Sequence, residues 1–300
     1  MKILCADLGG TSIKAALIEE GKITDFKETA TQAKKGGPKV MENLISLLKS
    51  YEDYDAIGIS TAGQVDRAQG KIIFANENIP NYTGTEVKKL VEDALGKSCQ
   101  VENDVNCAAL GETYFGSGKE EKDLLCLTYG TGIGGAIIIN RHVYSGHDGF
   151  AGEFGHMLTH PGERLCTCGK IGCYEAYASA GQLVRDAAKV DAAITNGREF
   201  FERVNAGDKI MRDVLNNWSK EVAIGLVGLT HIFNPSLIVL GGGILEQELA
   251  LQMIQKEFDF LVMESFKNVK LEKAQLGNQA GLLGAYSLYI NLNNEEKRGT

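Results

Sequence analysis

Two segments of similar sequence decide the fold. Leu4 to Ile18 reads LCADLGGTSIKAALI, and Leu125 to Ile139 reads LCLTYGTGIGGAIII. In each segment an apolar run leads to a polar residue, a Gly/Thr cluster predicts a turn, and a second apolar run follows. One such hairpin is ordinary. Two copies, 121 residues apart, predict a duplicated α/β unit with a cleft between the copies.

Helical and strand patterns alternate through the rest of the chain. The pattern predicts an N-terminal α/β domain over residues 1–117 and a C-terminal α/β domain over 118–290, with the polar segment GSGKEE at the boundary. The last helix, 279–290, is expected to pack back on the first domain, and residues 291–300 are predicted to be a disordered tail. Helices are predicted at 38–51, 84–95, 104–115, 181–190, 210–233 and 279–289, and strands at 56–61, 71–75, 98–102, 236–243 and 268–274.

Composition excludes several classes of protein. The chain has 300 residues, 44% of them hydrophobic, so a large core is expected. The net charge of −8 and the lack of a long basic run argue against nucleic-acid binding. No apolar run is long enough to span a bilayer, and Met1-Lys2 leads into a strand pattern rather than a signal peptide. A cytoplasmic location is therefore expected, where grouped cysteines indicate metal or redox chemistry rather than structural disulfides.

Three glycine turns stand at the ends of predicted strands, at DLGGT (7–11), GTGIGG (130–135) and GGG (241–243). Backbone N–H groups of such turns can approach phosphate oxygens, and Asp7 can hold Mg²⁺ directly or through water. A single turn of this kind is as easily a plain hairpin. The second turn loosely matches G-x-G-x-x-G, but a strand pattern follows it instead of the helix that dinucleotide binding requires. Together the three turns predict a bound nucleotide.

The segment ENDVNCAALGE places Asn103 and Asp104 between a strand and a helix. Asp104 can simply cap that helix. Alternatively, it is a general base for a hydroxyl nucleophile.

The segment EFGHMLTHPGERLCTCGKIGCYE (153–175) groups three cysteines, Cys166, Cys168 and Cys173, close after His156 and His160. Three cysteines and one histidine form a closed tetrahedral zinc set, which is typical of structural sites. A redox pair is the competing interpretation, but C-x-C is not the usual C-x-x-C. The spacing leaves open which of the two histidines is the fourth ligand.

In this order the motifs DLGGT, ENDVNCAALGE, GTGIGG, GEFGHM, CTCGKIGCYE and LGGG resemble those of the ROK family (repressors, open reading frames and kinases). The resemblance covers nearly the whole chain. It implies the actin-like, hexokinase-like, ribonuclease H-like fold: α/β, duplicated, in two domains with an interdomain cleft.

The resemblance also implies site residues. Asp104 is the implied catalytic base, and His156 rather than His160 is the implied zinc ligand, with one ring nitrogen on the metal and the other toward a sugar hydroxyl. The implied sets are Asp7, Gly9, Gly10, Thr11, Thr131, Gly132, Gly242 and Gly243 for ATP and Mg²⁺; Asn78, Asn103, Asp104, Glu153, His156 and Glu175 for the sugar; and His156, Cys166, Cys168 and Cys173 for Zn²⁺.

The implied activity is glucokinase-like transfer of a phosphoryl group from MgATP to a hexose hydroxyl, with O6 expected as the acceptor. N-acetylmannosamine and β-glucosides are alternative acceptors. A non-catalytic sugar sensor of the same family is the alternative from a different class. A repressor is disfavoured because the first strand pattern starts at Met1, where an added DNA-binding domain is expected in repressors. A homodimer is the expected assembly.

Overall fold

The computed structural model describes the backbone of residues 1–298 and the side chains of residues 1–290. The chain divides into two compact units. Unit 1 contains Met1–Lys122, Ala136–Ala151 and the chain from Gln275, and unit 2 contains Asp123–Gly135 and Gly152–Ala274. The first division therefore falls five residues after the predicted boundary at residue 117, and a short segment after Gly135 returns to unit 1.

Twelve strands are described in the backbone of residues 1–298. They are β1 (Lys2–Leu8), β2 (Ser12–Glu19), β3 (Lys22–Ala30), β4 (Ala56–Thr61), β5 (Gln64–Asp66), β6 (Lys71–Phe74), β7 (Cys99–Asn103), β8 (Leu124–Tyr129), β9 (Ile133–Ile139), β10 (His142–Val143), β11 (Leu237–Gly241) and β12 (Lys270–Lys273).

The helices occupy the connections between these strands. They are α1 (Gly37–Leu48), α2 (Val87–Leu95), α3 (Asp104–Phe115), α4 (Glu175–Ala178), α5 (Ala180–Val190), α6 (Gly197–Asn205), α7 (Lys209–Phe233), α8 (Glu248–Leu261) and α9 (Ala280–Arg298). Short 3₁₀ turns lie at Ala33–Lys35, Phe154–His156, Gly243–Glu246, Glu264–Phe266 and Gly277–Gln279. Within the described part of the chain, no helix is both long and apolar enough to span a lipid bilayer.

The two large sheets share one topology. The first has the order β3-β2-β1-β4-β7 and the second β10-β9-β8-β11-β12. In each sheet an antiparallel hairpin is joined to parallel strands: β1 runs parallel to β4, and β8 runs parallel to β11. The identical order confirms the duplicated α/β fold predicted from the two glycine hairpins.

The register of the first sheet brings three polar residues level with one another. Asp7 pairs with Ser60, and Ser60 pairs with Glu102 across three parallel strands. Because parallel strands end at the same edge of a sheet, the turn after β1 and the start of α3 meet at that edge. The candidate site residues Asp7, Asn103 and Asp104 lie there.

Helix α9 completes unit 1. The Tyr289 hydroxyl donates to the carbonyl of Ile57 at 2.9 Å, and Gly58 allows the Ala285 carbonyl to approach the sheet. Gly284 likewise lies against the Cys107 carbonyl of α3, with no room for a Cβ. The side chains from Leu282 to Tyr289 that face this contact are buried, as expected for a helix that covers a sheet.

Two departures from the predicted boundaries have local causes. Helix α9 continues to Arg298 through most of the predicted disordered tail, because Asn291 to Arg298 contains neither glycine nor proline. The last two residues of that tail lie outside the described residues. Residues 136–151 join unit 1 because Arg141 donates to the carbonyls of Thr113, at 2.7 Å, and Lys119, at 2.8 Å, at the end of α3.

Candidate active site

The carboxylates of Asp7 and Asp104 lie at the sheet edge of unit 1. Asp7 is close to the end of β1, where its Oδ1 accepts a hydrogen bond of 2.8 Å from the Ser60 hydroxyl. Asp104 is the first residue of α3 and directly follows β7. The alternation of strand and helix therefore places two acidic groups where neighbouring strands end.

Asn103, and not Asp104, is the principal cap of α3. Its Oδ1 accepts from the backbone N–H groups of Val105 at 2.9 Å and Asn106 at 3.1 Å, which the first turn of a helix leaves without partners. Its side-chain amide donates to Asp104 Oδ1 at 2.9 Å and to the Gly63 carbonyl at 2.9 Å. Because Asn103 holds one oxygen of Asp104, the orientation of that carboxylate is fixed.

The pKa of Asp104 is raised to about 6, mainly by burial and in addition by the neighbouring negative charge of Asp7. Hydrogen bonds from the Val105 N–H and the Asn103 amide oppose this rise, because they favour the charged form. The role of a general base does not require a raised pKa, but Asp104 has one. A carboxyl group that titrates close to neutral pH is well suited to accept a proton.

Burial also raises the pKa of Asp7. The hydrogen bond from Ser60 and the positive charge of Lys14 oppose this rise. The start of α9 presses on it: a Cβ at Gly281 would lie 2.5 Å from the Asp7 carboxyl carbon. Glycine at this position is what allows the helix N-terminus to approach the carboxylate.

Glu102, the first residue of the segment ENDVNCAALGE, is a buried charge behind these residues for which no role was predicted. Its Oε1 accepts from the Asn103 backbone N–H at 2.8 Å and from the Asn106 side-chain amide at 3.0 Å, and its Oε2 lies 2.7 Å from Arg67 Nε. The side chain is 1% exposed, so the Arg67 charge compensates an otherwise unpaired carboxylate. Glu102 could have been identified from the sequence as a charged residue within an otherwise apolar strand pattern.

Asn78 lies in the loop between β6 and α2. It is exposed, and its backbone N–H donates to the Asn76 side chain at 3.0 Å. The structure therefore leaves the Asn78 amide accessible to a ligand.

Unit 2 brings together the four residues implied as zinc ligands. One donor atom from each of His156, Cys166, Cys168 and Cys173 can be chosen so that all lie within 4.8 Å of one another. Cys168 Sγ is 3.7 Å from Cys173 Sγ, and Cys166 Sγ is 3.8 Å from His156 Nδ1. Zn–S bonds of about 2.3 Å in a tetrahedron give sulfur–sulfur distances of about 3.8 Å. The donor set therefore fits one tetrahedral zinc ion.

The two histidines have different surroundings. His156 Nδ1 faces the cysteines, while its Nε2 lies 4.0 Å from Glu153 Oε2, so the second nitrogen points away from the sulfur atoms. The His160 ring stacks on Tyr177 at 4.1 Å, and its nitrogens lie near Thr159 and Glu221. His156, and not His160, is therefore grouped with the cysteines.

Glu175 connects the cysteine loop to the second glycine turn. Its Oε2 accepts from the Ile133 backbone N–H at 2.9 Å, and its Oε1 accepts from the Thr167 hydroxyl at 2.6 Å. Gly132 lies directly against this carboxylate, and any Cβ there would collide with it. The conformation of the turn and the position of Glu175 therefore depend on each other.

A cavity of about 540 Å³ in unit 2 opens beside the same turn. Gly130 and Thr131 line it on one side and Gly243 on another, which places two of the predicted ATP residues, Thr131 and Gly243, at one cavity. Gly242 precedes it with φ of +113°, where a Cβ would collide with the Tyr129 carbonyl. Apolar walls come from Val184, Phe201 and Ile244, and polar groups from Arg198, Glu202, Asn205 and Gln247. The size is typical of small-molecule sites.

Comparison with known proteins gives one result along the whole chain. The model of the ROK family matches residues 3–291. A glucokinase of Streptomyces coelicolor is 35% identical over 310 residues, which cover 94% of this chain and 95% of the relative. A beta-glucoside kinase of Klebsiella pneumoniae is 31% identical over 291 residues, covering 95% of each chain.

Among solved structures, a ROK family glucokinase from Streptomyces griseus in complex with glucose and AMPPNP superposes with a TM-score of 0.83. It is 33% identical, and the match covers 96% of this chain and 99% of that one. The predicted actin-like, hexokinase-like two-domain fold is thereby confirmed.

Proposed function

This chain belongs to the ROK family, and we propose that it is a sugar kinase that transfers the γ-phosphoryl group of ATP to a hexose hydroxyl. The observation that carries the proposal is the carboxylate of Asp104. It stands at a strand–helix junction, is oriented by Asn103, and has a pKa raised to about 6. A non-catalytic sugar sensor has no need of such a group.

In the proposed reaction Asp104 accepts the proton of the attacking hydroxyl as its oxygen bonds to phosphorus and the bond to ADP breaks. Asn103 presents Asp104 Oδ1 in one orientation and so leaves the other oxygen for the sugar. Asn78, Glu153, His156 and Glu175 are proposed to hold further sugar hydroxyls. The exposure of Asn78, Glu153 and His156 supports this assignment.

The glycine turns are proposed to bind the nucleotide. In unit 1, Gly10 and Thr11 are proposed to offer backbone N–H groups to phosphate oxygens. The Gly9 N–H donates to the Ser12 carbonyl at 3.0 Å, so Gly9 is assigned to ATP through the shape of the turn, and Asp7 is the proposed Mg²⁺ partner. In unit 2, Thr131, Gly132, Gly242 and Gly243 are assigned to ATP, and the adjacent cavity of about 540 Å³ is large enough for adenosine. Mg²⁺ neutralises phosphate charge when it is bound.

The zinc ligands are proposed to be His156, Cys166, Cys168 and Cys173. Four protein donors leave no position for water, so bound zinc supplies structure to the loop rather than a Lewis acid. His156 would then have a fixed ring orientation, with Nε2 directed to the sugar side near Glu153.

The acceptor sugar is proposed to be glucose, phosphorylated at O6. Similarity to a glucokinase over nearly the full length supports glucose, and similarity to a beta-glucoside kinase makes β-glucosides the second candidate. N-acetylmannosamine is the third sugar to be compared. Steady-state ADP release should be measured with each sugar, and the product site should be assigned by phosphorus–proton correlation in NMR. Absence of ADP release with every sugar would contradict the kinase proposal and favour a sensor.

Gly10→Ala should raise KM for ATP about tenfold or more while leaving the melting temperature within about 1 °C. A Cβ at Gly10 meets no protein atom within 4 Å, so the substitution opposes only the approach of a ligand. Gly132→Ala is the contrasting variant, because its Cβ collides with Glu175 and should disturb sugar binding as well. Normal ATP saturation in the Gly10 variant would show that the first turn does not touch phosphate.

A further inference from the structure

A second cavity, of about 670 Å³, lies in unit 1 and contains two lysines that the proposed reaction has not used. Gly10 and Thr11 of the glycine turn line one part of it, and Asn78 lines another. Lys34 and Lys35 complete the lining together with Gln32. The cavity therefore joins residues proposed for phosphate to a residue proposed for sugar.

The loop that carries the lysines is tied to the glycine turn. The Thr31 backbone N–H donates to the Thr11 carbonyl at 3.0 Å, and the buried Thr31 hydroxyl donates to the Gly9 carbonyl at 2.6 Å. Asn43 of α1 donates to the Thr31 carbonyl at 3.2 Å. These bonds hold the segment before Lys34 in a fixed position relative to Gly10.

The same loop is tied on its other side to the loop of Asn78. The Gly37 backbone N–H donates to the Pro80 carbonyl at 2.8 Å. Gly36 has a φ of +89°, and a Cβ there would lie 2.9 Å from that carbonyl, so glycine is required for the close approach. The 3₁₀ turn Ala33–Lys35 is thus held between two proposed ligand loops.

The positive charges of Lys34 and Lys35 in this turn are not paired with acidic groups of the described residues. Lys34 and Lys35 are consecutive and exposed, and neither ammonium group has a hydrogen bond or ion pair with any described side chain or backbone group. Lys39, on the next helix, shows the contrast because it pairs with Glu42 at 2.6 Å. No acidic side chain is among the residues that line the cavity. Two adjacent cations beside a glycine turn favour an anionic ligand.

We infer that Lys34 and Lys35 bind the phosphoryl group that moves between nucleotide and sugar, an inference that rests on the proposed kinase function. The ligand chemistry is a phosphate dianion, which has two sources: the γ-phosphate of ATP and the phosphate of the sugar product. Lysine ammonium groups neutralise the charge that phosphoryl transfer spreads over the phosphate oxygens.

The test is the double variant Lys34→Gln/Lys35→Gln, with Lys39→Gln as the control from the same region. Isothermal titration should measure Kd for AMPPNP, glucose 6-phosphate and glucose with the wild-type chain and both variants. The double variant should bind at least one phosphate ligand about 10–100-fold more weakly, because hydrogen bonds to charged groups contribute about 1.5–3 kcal/mol. The Kd of the double variant for glucose should stay within twofold of the wild-type value. The Kd values of the Lys39→Gln control for all three ligands should do the same.

The three titrations separate the possible results. Weaker binding of AMPPNP alone identifies the γ-phosphate as the ligand, and weaker binding of glucose 6-phosphate alone identifies the product. Unchanged affinity for both phosphate ligands, or failure of the wild type to bind either, overturns the inference. A wild-type chain that binds these ligands but transfers no phosphoryl group to any sugar overturns the proposed function instead. Lys34→Arg/Lys35→Arg should restore the affinity that the glutamine variant loses.

Discussion

Asp104→Asn should lower kcat by about 10²–10⁴-fold, the usual contribution of a general base, and at the same time make the protein more stable. Asparagine keeps the size of the side chain. Its Oδ1 can still accept from the Val105 N–H and the Asn103 amide, both at 2.9 Å in the wild type. What is lost is the capacity to take a proton.

The gain in stability follows from the direction of the pKa shift. The folded-state pKa of Asp104, about 6, exceeds the value of about 3.9 expected in the unfolded chain. The contribution of Asp104 to the free energy of unfolding is therefore largest below about pH 4, and it is lost as the pH rises through about 6. At pH 7 the ionised carboxylate costs on the order of 1–3 kcal/mol, which asparagine removes.

Two measurements check this variant. Thermal unfolding at pH 7 should show a higher melting temperature for Asp104→Asn, and the difference should shrink toward pH 4. Wild-type kcat/KM should fall as the pH drops below about 6, where Asp104 is protonated. Turnover within a few-fold of the wild type in the asparagine variant would remove Asp104 from the chemistry.

Cys168→Ser should lose bound zinc and raise KM for the sugar about 10–100-fold, the range usual for defects in a metal site and its supporting groups. Cys168 Sγ lies 3.7 Å from Cys173 Sγ in the four-residue cluster, so its removal opens the coordination shell. The loop that presents His156 and Glu175 should then lose its fixed shape. The residues that line the cavity of unit 2 come from other segments, so weak AMPPNP binding should persist, although the contact of Glu175 with the Gly132 turn is expected to reduce its affinity.

Elemental analysis should find about one zinc ion per wild-type chain. Leu165→Ser is the matched control, because Leu165 belongs to the same loop, is 72% exposed and offers no metal ligand. A fully active wild-type chain without metal would count against the zinc proposal. A zinc-free variant with unchanged sugar affinity but no chemical step would point to a catalytic metal.

Local patterns predicted most of the fold, since turns and strands depend on nearby residues. The two glycine hairpins, the α3 start at Asp104 and the long α7 all lie within a residue or so of their predicted positions. The grouping of His156 with the cysteines followed from the family resemblance, because His156 and His160 are equivalent by spacing alone. The structure separates them by the stacking of His160 on Tyr177.

What the sequence did not reveal depends on residues far apart in the chain. The pairing of Arg67 with Glu102 joins segments 35 residues apart, and no local sequence pattern predicts it. The raised pKa of Asp104 depends on burial in the folded chain and, in addition, on the charge of Asp7 on another strand. Lys34 and Lys35 belong to no motif in the sequence. Their position beside the proposed ligand loops depends on the bonds of Thr31 to the Gly9–Thr11 turn and of Gly37 to the Pro80 carbonyl. The homodimer stays a prediction.

Helix α9 makes the first unit depend on a segment that is synthesised after the whole of unit 2. Residues 123–274 contain all of unit 2, whereas the sheet that carries Asp7 is completed in unit 1 when Ala285 and Tyr289 of α9 reach Gly58 and Ile57. The half that is synthesised first is therefore expected to mature last, against the usual order of domain folding during synthesis. A nascent chain arrested after residue 274 should have a protease-resistant unit 2 and a digestible N-terminal half. Premature termination should thus remove the supporting structure of the proposed catalytic carboxylate while leaving the proposed zinc loop intact.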